Sequence, residues 1–187
     1  LVDVDLFVGV GGVFDTSVPG DYEVDATNGT GFFVDNADLY LAIASVTDPT
    51  PLDPPSDLRT WTGIAASADS LTVKGLPSDF ELTVDNLSVL FNTASGTGAT
   101  PIDWSALVTG NPLEDLAGAV TLAVSGDLTV NLGGYVLVAG HFDVQKSSHT
   151  DVDLGANGAA VDVELLTIDL VDVDLFVGVG GVFDTSV

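Results

Sequence analysis

The sequence holds no cysteine and no methionine, two histidines, and only three basic residues, Arg59, Lys74 and Lys146, against 28 acidic ones. Without cysteine there is no disulfide framework, no thiolate metal site and no cysteine nucleophile. The absence of both oxidisable side chains suits a long life outside the cell. A formal net charge of -25 repels phosphate and leaves no basic stripe, so nucleic acid is excluded as a partner. Long hydrophobic runs are missing as well. Hydrophobic residues make up 46% of the chain, yet Asp, Thr or Gly keeps interrupting them, and no segment reaches the roughly 18 apolar residues of a membrane-spanning helix. His141 and His149 have no further histidine at metal-ligand spacing, which argues against zinc. No nucleophile elbow, zincin helix or phosphate-cradling loop occurs, and carboxylates are too numerous for any one pair to suggest a glycosidase. Nothing supplies a nucleophile, a base and an orienting group together. The expectation is therefore a non-enzyme that requires no cofactor.

What is present is a repeat. Residues 1–18 read LVDVDLFVGVGGVFDTSV and residues 170–187 read the same, identical at 18 of 18 positions with a spacing of 169. Identity at every position indicates recent copying within a tandem array. A period this long far exceeds the roughly 20 to 50 residues of solenoid repeats, so each unit needs its own strands and most of a core. Residues 1–169 are taken as one complete repeat unit and residues 170–187 as the start of the next. The chain begins without Met and ends inside the second copy, as expected of a stretch of a continuous natural polymer. Three of the 28 acidic residues, Asp172, Asp174 and Asp184, belong to the second copy, which leaves 25 acidic and three basic residues per period, a net -22.

Alternation at period two dominates and marks half-buried strands. Leu39, Leu41 and Ile43 alternate with Tyr40 and Ala42; Phe80, Leu82 and Val84 with Glu81, Thr83 and Asp85; Val136, Val138, Phe142 and Val144 with Leu137, His141, Asp143 and Gln145. Further strands are expected near 61–66, 71–75, 87–91, 120–124, 128–132, 161–168 and 171–179, about ten per period. The apolar phase slips at 85–87 and 169–171, where a bulge or tight turn is required. Asn28-Gly29, Gly11-Gly12, Gly133-Gly134 and Asn157-Gly158 mark turns, and residues 47–58, with four prolines, and 92–101 are loops. Residues 103–116 alone read helical, with Asp103 and Asn111-Pro112 starting short turns. Trp61, Trp104, Phe80 and Phe142 read as core side chains. The fold class is all-β with a helical turn or two: a β-solenoid, sandwich or barrel.

The unit boundary carries no linker. VDVELLTIDLVDVDLFVGVGG, residues 161–181, runs through it without a polar or Pro/Gly-rich spacer, so the units are expected to join directly and share sheet or core.

Residues 134–148 (GYVLVAGHFDVQKSS), 167–181 (TIDLVDVDLFVGVGG) and 68–94 (ADSLTVKGLPSDFELTVDNLSVLFNTA) resemble the recurring blocks of very large repetitive bacterial proteins of the secreted or surface type. In those a strand of the form G-Y/F-h-x-h-x-G-x-F, with h apolar, precedes an Asp/Val-rich strand ending in F-h-G-h-G-G. The resemblance implies adhesion, matrix or surface structure outside the cell and brings no catalytic residues.

Two functions from different classes follow. One is a structural unit of a giant extracellular fibre, sheath or surface filament, its partners being adjacent repeats of the same chain and neighbouring fibres. The other is a repeat of a large adhesin that binds calcium or glycans. The calcium candidates are the Asp-x-Asp pairs Asp3/Asp5, Asp151/Asp153 and Asp172/Asp174, with Asp162/Glu164 similar, because residues two apart on a strand project from one face about 7 Å apart. The opposing reading is that these carboxylates only solvate a strand face, and no calcium-binding nonapeptide or EF-hand loop is present.

The charge excess generates a first prediction. Raising NaCl from about 0.01 M to 1 M shortens the screening length from about 30 Å to 3 Å, so the thermal midpoint should climb across that range. Circular-dichroism melts measure it, and a midpoint that falls with salt would contradict self-repulsion as the main electrostatic term.

Overall fold

The computed structural model describes residues 1–47, 57–155 and 160–184. Most of the proline run and the Asn157-Gly158 turn lie outside the described residues. Nine strands are present among those described: β1 (Val4–Val10), β2 (Val13–Val18), β3 (Asp21–Asp25), β4 (Thr30–Ser45), β5 (Thr60–Lys74), β6 (Phe80–Ser95), β7 (Val120–Leu132), β8 (Val136–Val152) and β9 (Val161–Val177). Seven form one antiparallel sheet in the order β1-β4-β5-β6-β7-β8-β9, and β2 pairs with β3 as a separate hairpin between β1 and β4. The chain is all-β. The sheet is open, with β1 and β9 at its two edges, so the closed barrel among the expected forms is not adopted.

The strands are fewer and longer than the periodicity suggests. Segments 61–66 and 71–74 are both parts of β5, 80–84 and 87–91 of β6, 120–124 and 128–132 of β7, and 161–168 and 171–177 of β9. A phase slip need not end a strand when one residue can take the left-handed conformation. Asn86 (φ 52°) does so where the β6–β7 register shifts between Asp85 and Ser88, and Asp172 (φ 50°) does so inside β9. Asn and Asp tolerate this region better than other non-glycine residues. His149 lies within β8, not in a loop, and the loop expected from residue 92 starts only after Ser95.

One face of the sheet is covered by the connection between β6 and β7. Asp103 caps a 3₁₀ turn at Trp104–Ala106 by accepting from the Ser105 amide, and Asn111 caps a second at Pro112–Asp115 by accepting from Leu113. These turns deliver Trp104, Leu113 and Leu116, all buried, onto Ala65, with Tyr40, Ala42, Ala44, Trp61 and Leu90 around them. The indole lies against Gly63, where an added β-carbon would come within 2.6 Å of the ring. Small residues on β4 and β5 make that approach possible. Consequently the larger aliphatics Leu39, Leu41 and Ile43 turn to the other face and are exposed, contrary to the inward role their alternation suggests. Phe80 is also exposed instead of core.

A buried polar side chain fixes the cover in place. Asn92 on β6 accepts from Trp104 Nε1 (3.0 Å) and donates to the carbonyls of Ile102 (2.9 Å) and Ala117 (3.3 Å). Removing it strands one donor and two acceptors in an apolar setting. Asn92→Ala should cost about 1–3 kcal/mol and Trp104→Ala about 3–5 kcal/mol, read as a lower urea midpoint at unchanged slope. Near-wild-type midpoints for both would mean that the β6–β7 connection is not the core.

Candidate functional site: a repeated edge strand and a polar seam

The repeated sequence occurs at both edges of the one sheet. In its first copy it forms β1, which pairs with β4; in its second it forms the C-terminal half of β9, which pairs with β8. The strand β9 runs through the position between residues 169 and 170 without a break. The two copies also share local geometry. Asp3 (φ 52°) and its counterpart Asp172 (φ 50°) both take the left-handed conformation. The Phe7 ring lies over Gly9 and Gly12, within 2.6 Å and 2.5 Å of where β-carbons would stand, and the Phe176 ring lies over Gly178 and Gly181 at 2.6 Å and 2.5 Å. Glycine is required at each of these positions because the ring occupies the space of a side chain. The motif therefore carries its own packing and keeps it whichever neighbour the strand has.

A polar seam crosses the middle of the sheet. Asp5 Oδ1 accepts from the Asn36 amide (3.1 Å), and Asn36 Nδ2 donates to Asp69 Oδ2 (2.8 Å). Asn86 Nδ2 donates to Asp127 Oδ2 (2.8 Å), Asp127 Oδ1 meets His141 Nδ1 (2.8 Å), and His141 Nε2 lies 3.2 Å from Asp143. Asn36 (φ 50°) and Asn86 adopt the left-handed conformation here, as Asp3 and Asp172 do. Each is a residue type that supplies both the unusual backbone and a side-chain bond to the next strand. The seam was legible only in part: Val-Asp-Asn recurs at 34–36 and 84–86, and both copies stand on it.

The seam shifts its ionisable groups. Hydrogen bonding to Asp127 raises the His141 pKa; desolvation opposes the rise, and the charges of Asp143 and Asp127 add to it. Hydrogen bonds from Asn86 and then from His141 lower that of Asp127.

The six calcium candidates are placed as follows. The Asp3 amide donates to Asp38 Oδ1 (3.0 Å), Asp5 accepts from Asn36, the Asp151 amide donates to Asp162 Oδ1 (3.2 Å), and Asp153 accepts from the Gly155 amide (2.8 Å). Asp172 and Asp174 lie on β9 at the sheet edge. The first residue of each pair, Asp3, Asp151 (φ 57°) and Asp172, takes the left-handed conformation. Among the described residues no three His, Asp or Glu side chains gather into a metal-holding group. His149 Nε2 meets Ser147 Oγ (2.9 Å) on its own strand.

Comparison with protein-family models, with curated proteins and with solved structures returned no significant match. Among the described residues no helix is long and apolar enough to cross a membrane.

The His141 shift sets a pH dependence. Its folded pKa is raised, so its stabilisation is complete below the unfolded value of about 6.5 and disappears as pH climbs through the raised value. Asp127, lowered, contributes above its unfolded value of about 3.9. The melting difference between the native chain and His141→Gln should thus be widest between about pH 4 and 6 and close at alkaline pH. A difference that grows toward alkaline pH would contradict the seam.

Proposed function

We propose that the chain is a structural repeat unit of a giant extracellular fibre, sheath or surface filament, built from tandem 169-residue units joined without linkers. The observation that supports this reading is the repeated strand: one sequence stands at both edges of the sheet, and β9 passes through the unit boundary uninterrupted. Independent domains on a string place a flexible spacer where this chain places a strand of 17 residues. The edges themselves favour association. Val8 and Leu6 on β1, and Leu166, Ile168, Leu175 and Val177 on β9, are exposed apolar side chains beside unpaired backbone, the combination that soluble monomers avoid.

Chains of one, two and three repeats test the proposal. Coupling between neighbours should raise the denaturation midpoint with repeat number, and covering four such side chains at roughly 1.5–3 kcal/mol each is large against a typical total stability of about 5–15 kcal/mol. Electron microscopy of longer arrays should show stiff filaments with one axial repeat. Identical midpoints and randomly bent beads would replace this reading with independent domains.

A further inference from the structure

Given the tandem arrangement just proposed, we infer that β9 of one repeat and β1 of the next are a single strand shared by two sheets, so that the outer edge of β9 is the docking site for β4 of the following repeat.

Strand lengths carry the argument first. β4 has 16 residues and β9 has 17, whereas β1 has 7. The pairing of β1 with β4 runs from Val10↔Thr30 to Val4↔Ala37 and is extended by Leu1, whose amine and carbonyl both bond Leu39 (3.0 Å each). Residues 40–45 of β4 then continue with no β1 residue opposite. In the second copy, the residues ahead of Leu170, the counterpart of Leu1, are already in strand conformation as part of β9. Placing β9 on β4 in the register of Leu1↔Leu39 sets residues 169 to 164 opposite residues 40 to 45.

The side chains in that register match. Ile168 falls opposite Leu41 and Leu166 opposite Ile43, with Leu170 opposite Leu39 as Leu1 is now. These aliphatics are 64%, 58%, 61% and 69% exposed, in the order Ile168, Leu41, Leu166, Ile43, so pairing covers apolar surface on both partners. Asp169 meets Tyr40 and Glu164 meets Ser45. Across residues 164–169 and 40–45 no carboxylate is set directly opposite another, so the added pairing carries no like-charge pair. Toward the other end Asp174 takes the place of Asp5 beside Asn36, and Asp172 that of Asp3, whose amide bonds Asp38.

The result is one unbroken antiparallel sheet whose strands lie across the array. Seven strands with one shared leave six per repeat, an advance of about 29 Å at roughly 4.8 Å per strand.

The test lengthens this chain by one repeat. Because Leu1 and Leu39 exchange both backbone bonds, their pair is of the hydrogen-bonded kind, and Thr167 opposite Ala42 of the second repeat is of the close, non-hydrogen-bonded kind. The chain has no cysteine, so Thr167→Cys in the first repeat with Ala42→Cys in the second allows one disulfide only. Mild oxidation should close it nearly completely, while Thr167→Cys with Ala44→Cys of the second repeat, two residues out of register, should stay largely reduced. Amide exchange on the unsubstituted lengthened chain guards against misfolded variants: the amides of Leu41, Ile43 and Ser45, which share the side of β4 on which Leu39 bonds Leu1, should exchange about a hundredfold or more slower in the second repeat than in the first. Equal exchange in both repeats, or no preference between the two cysteine pairs, overturns the shared strand. Filaments seen by microscopy together with either of those results would leave a fibre of separately folded units, so the two proposals fail separately.

Discussion

The unsatisfied backbone at a sheet edge is the constraint on which this molecule turns. Each strand offers N–H and C=O groups on two sides, and a sheet that does not close always leaves two rows unpaired. Soluble proteins blunt such edges with short strands, bulges, proline or inward charge. Here one edge is a 17-residue strand rich in Val, Leu and Ile, and the other is the same sequence in a shorter pairing. An edge so made is suited to being joined, and the question becomes which partner it admits.

Register answers that question. A strand with apolar residues on both faces could slip by two residues at little cost, and repetition of similar Val/Asp segments makes wrong pairings numerous. The left-handed residues Asp3, Asn36, Asn86 and Asp172 act against this. Each kinks its strand at one position, and Asp3, Asn36 and Asn86 also bond, by amide or side chain, to a specific group on a neighbour, as Asn36 does with Asp5 and Asp69. A slipped strand would bring the kink against a flat partner and strand the carboxylates of the seam. The bulges thus cost ladder bonds locally and fix the pairing of strands that are 13 to 17 residues long in the centre of the sheet.

How much of this the sequence discloses depends on the range of the interaction. Period-two alternation, glycine turns and the capping residues Asp103 and Asn111 are local signals, and they locate strands, hairpins and the two 3₁₀ turns. Strand number was misjudged because a phase slip at Asn86 or Asp172 looks the same in sequence whether the chain turns or bulges; only the neighbouring strand decides. Which face of β4 is inner was equally hidden. Tyr40, Ala42 and Ala44 face the core because Trp104, 60 or more residues away, needs room over Gly63. Asn92 looked like the start of a polar loop, and its burial follows from three partners supplied by the 3₁₀ segment. The Asp-x-Asp pairs read as cation ligands by strand spacing, and the left-handed backbone at Asp3, Asp151 and Asp172 is a feature that spacing does not disclose.

Charge completes the account. An apolar edge repeated many times would invite lateral and off-register aggregation, and a net charge near zero would not oppose it. With 25 acidic residues per period against three basic ones, the net charge repels copies that approach without burying apolar surface. In the register of Leu1 with Leu39, Asp169 falls opposite Tyr40 and Glu164 opposite Ser45, while Ile168 and Leu166 meet Leu41 and Ile43. In the proposed array acidity and apolar edge act together: the aliphatic row supplies a drive to associate, and the charge excess opposes contacts that bury little apolar surface.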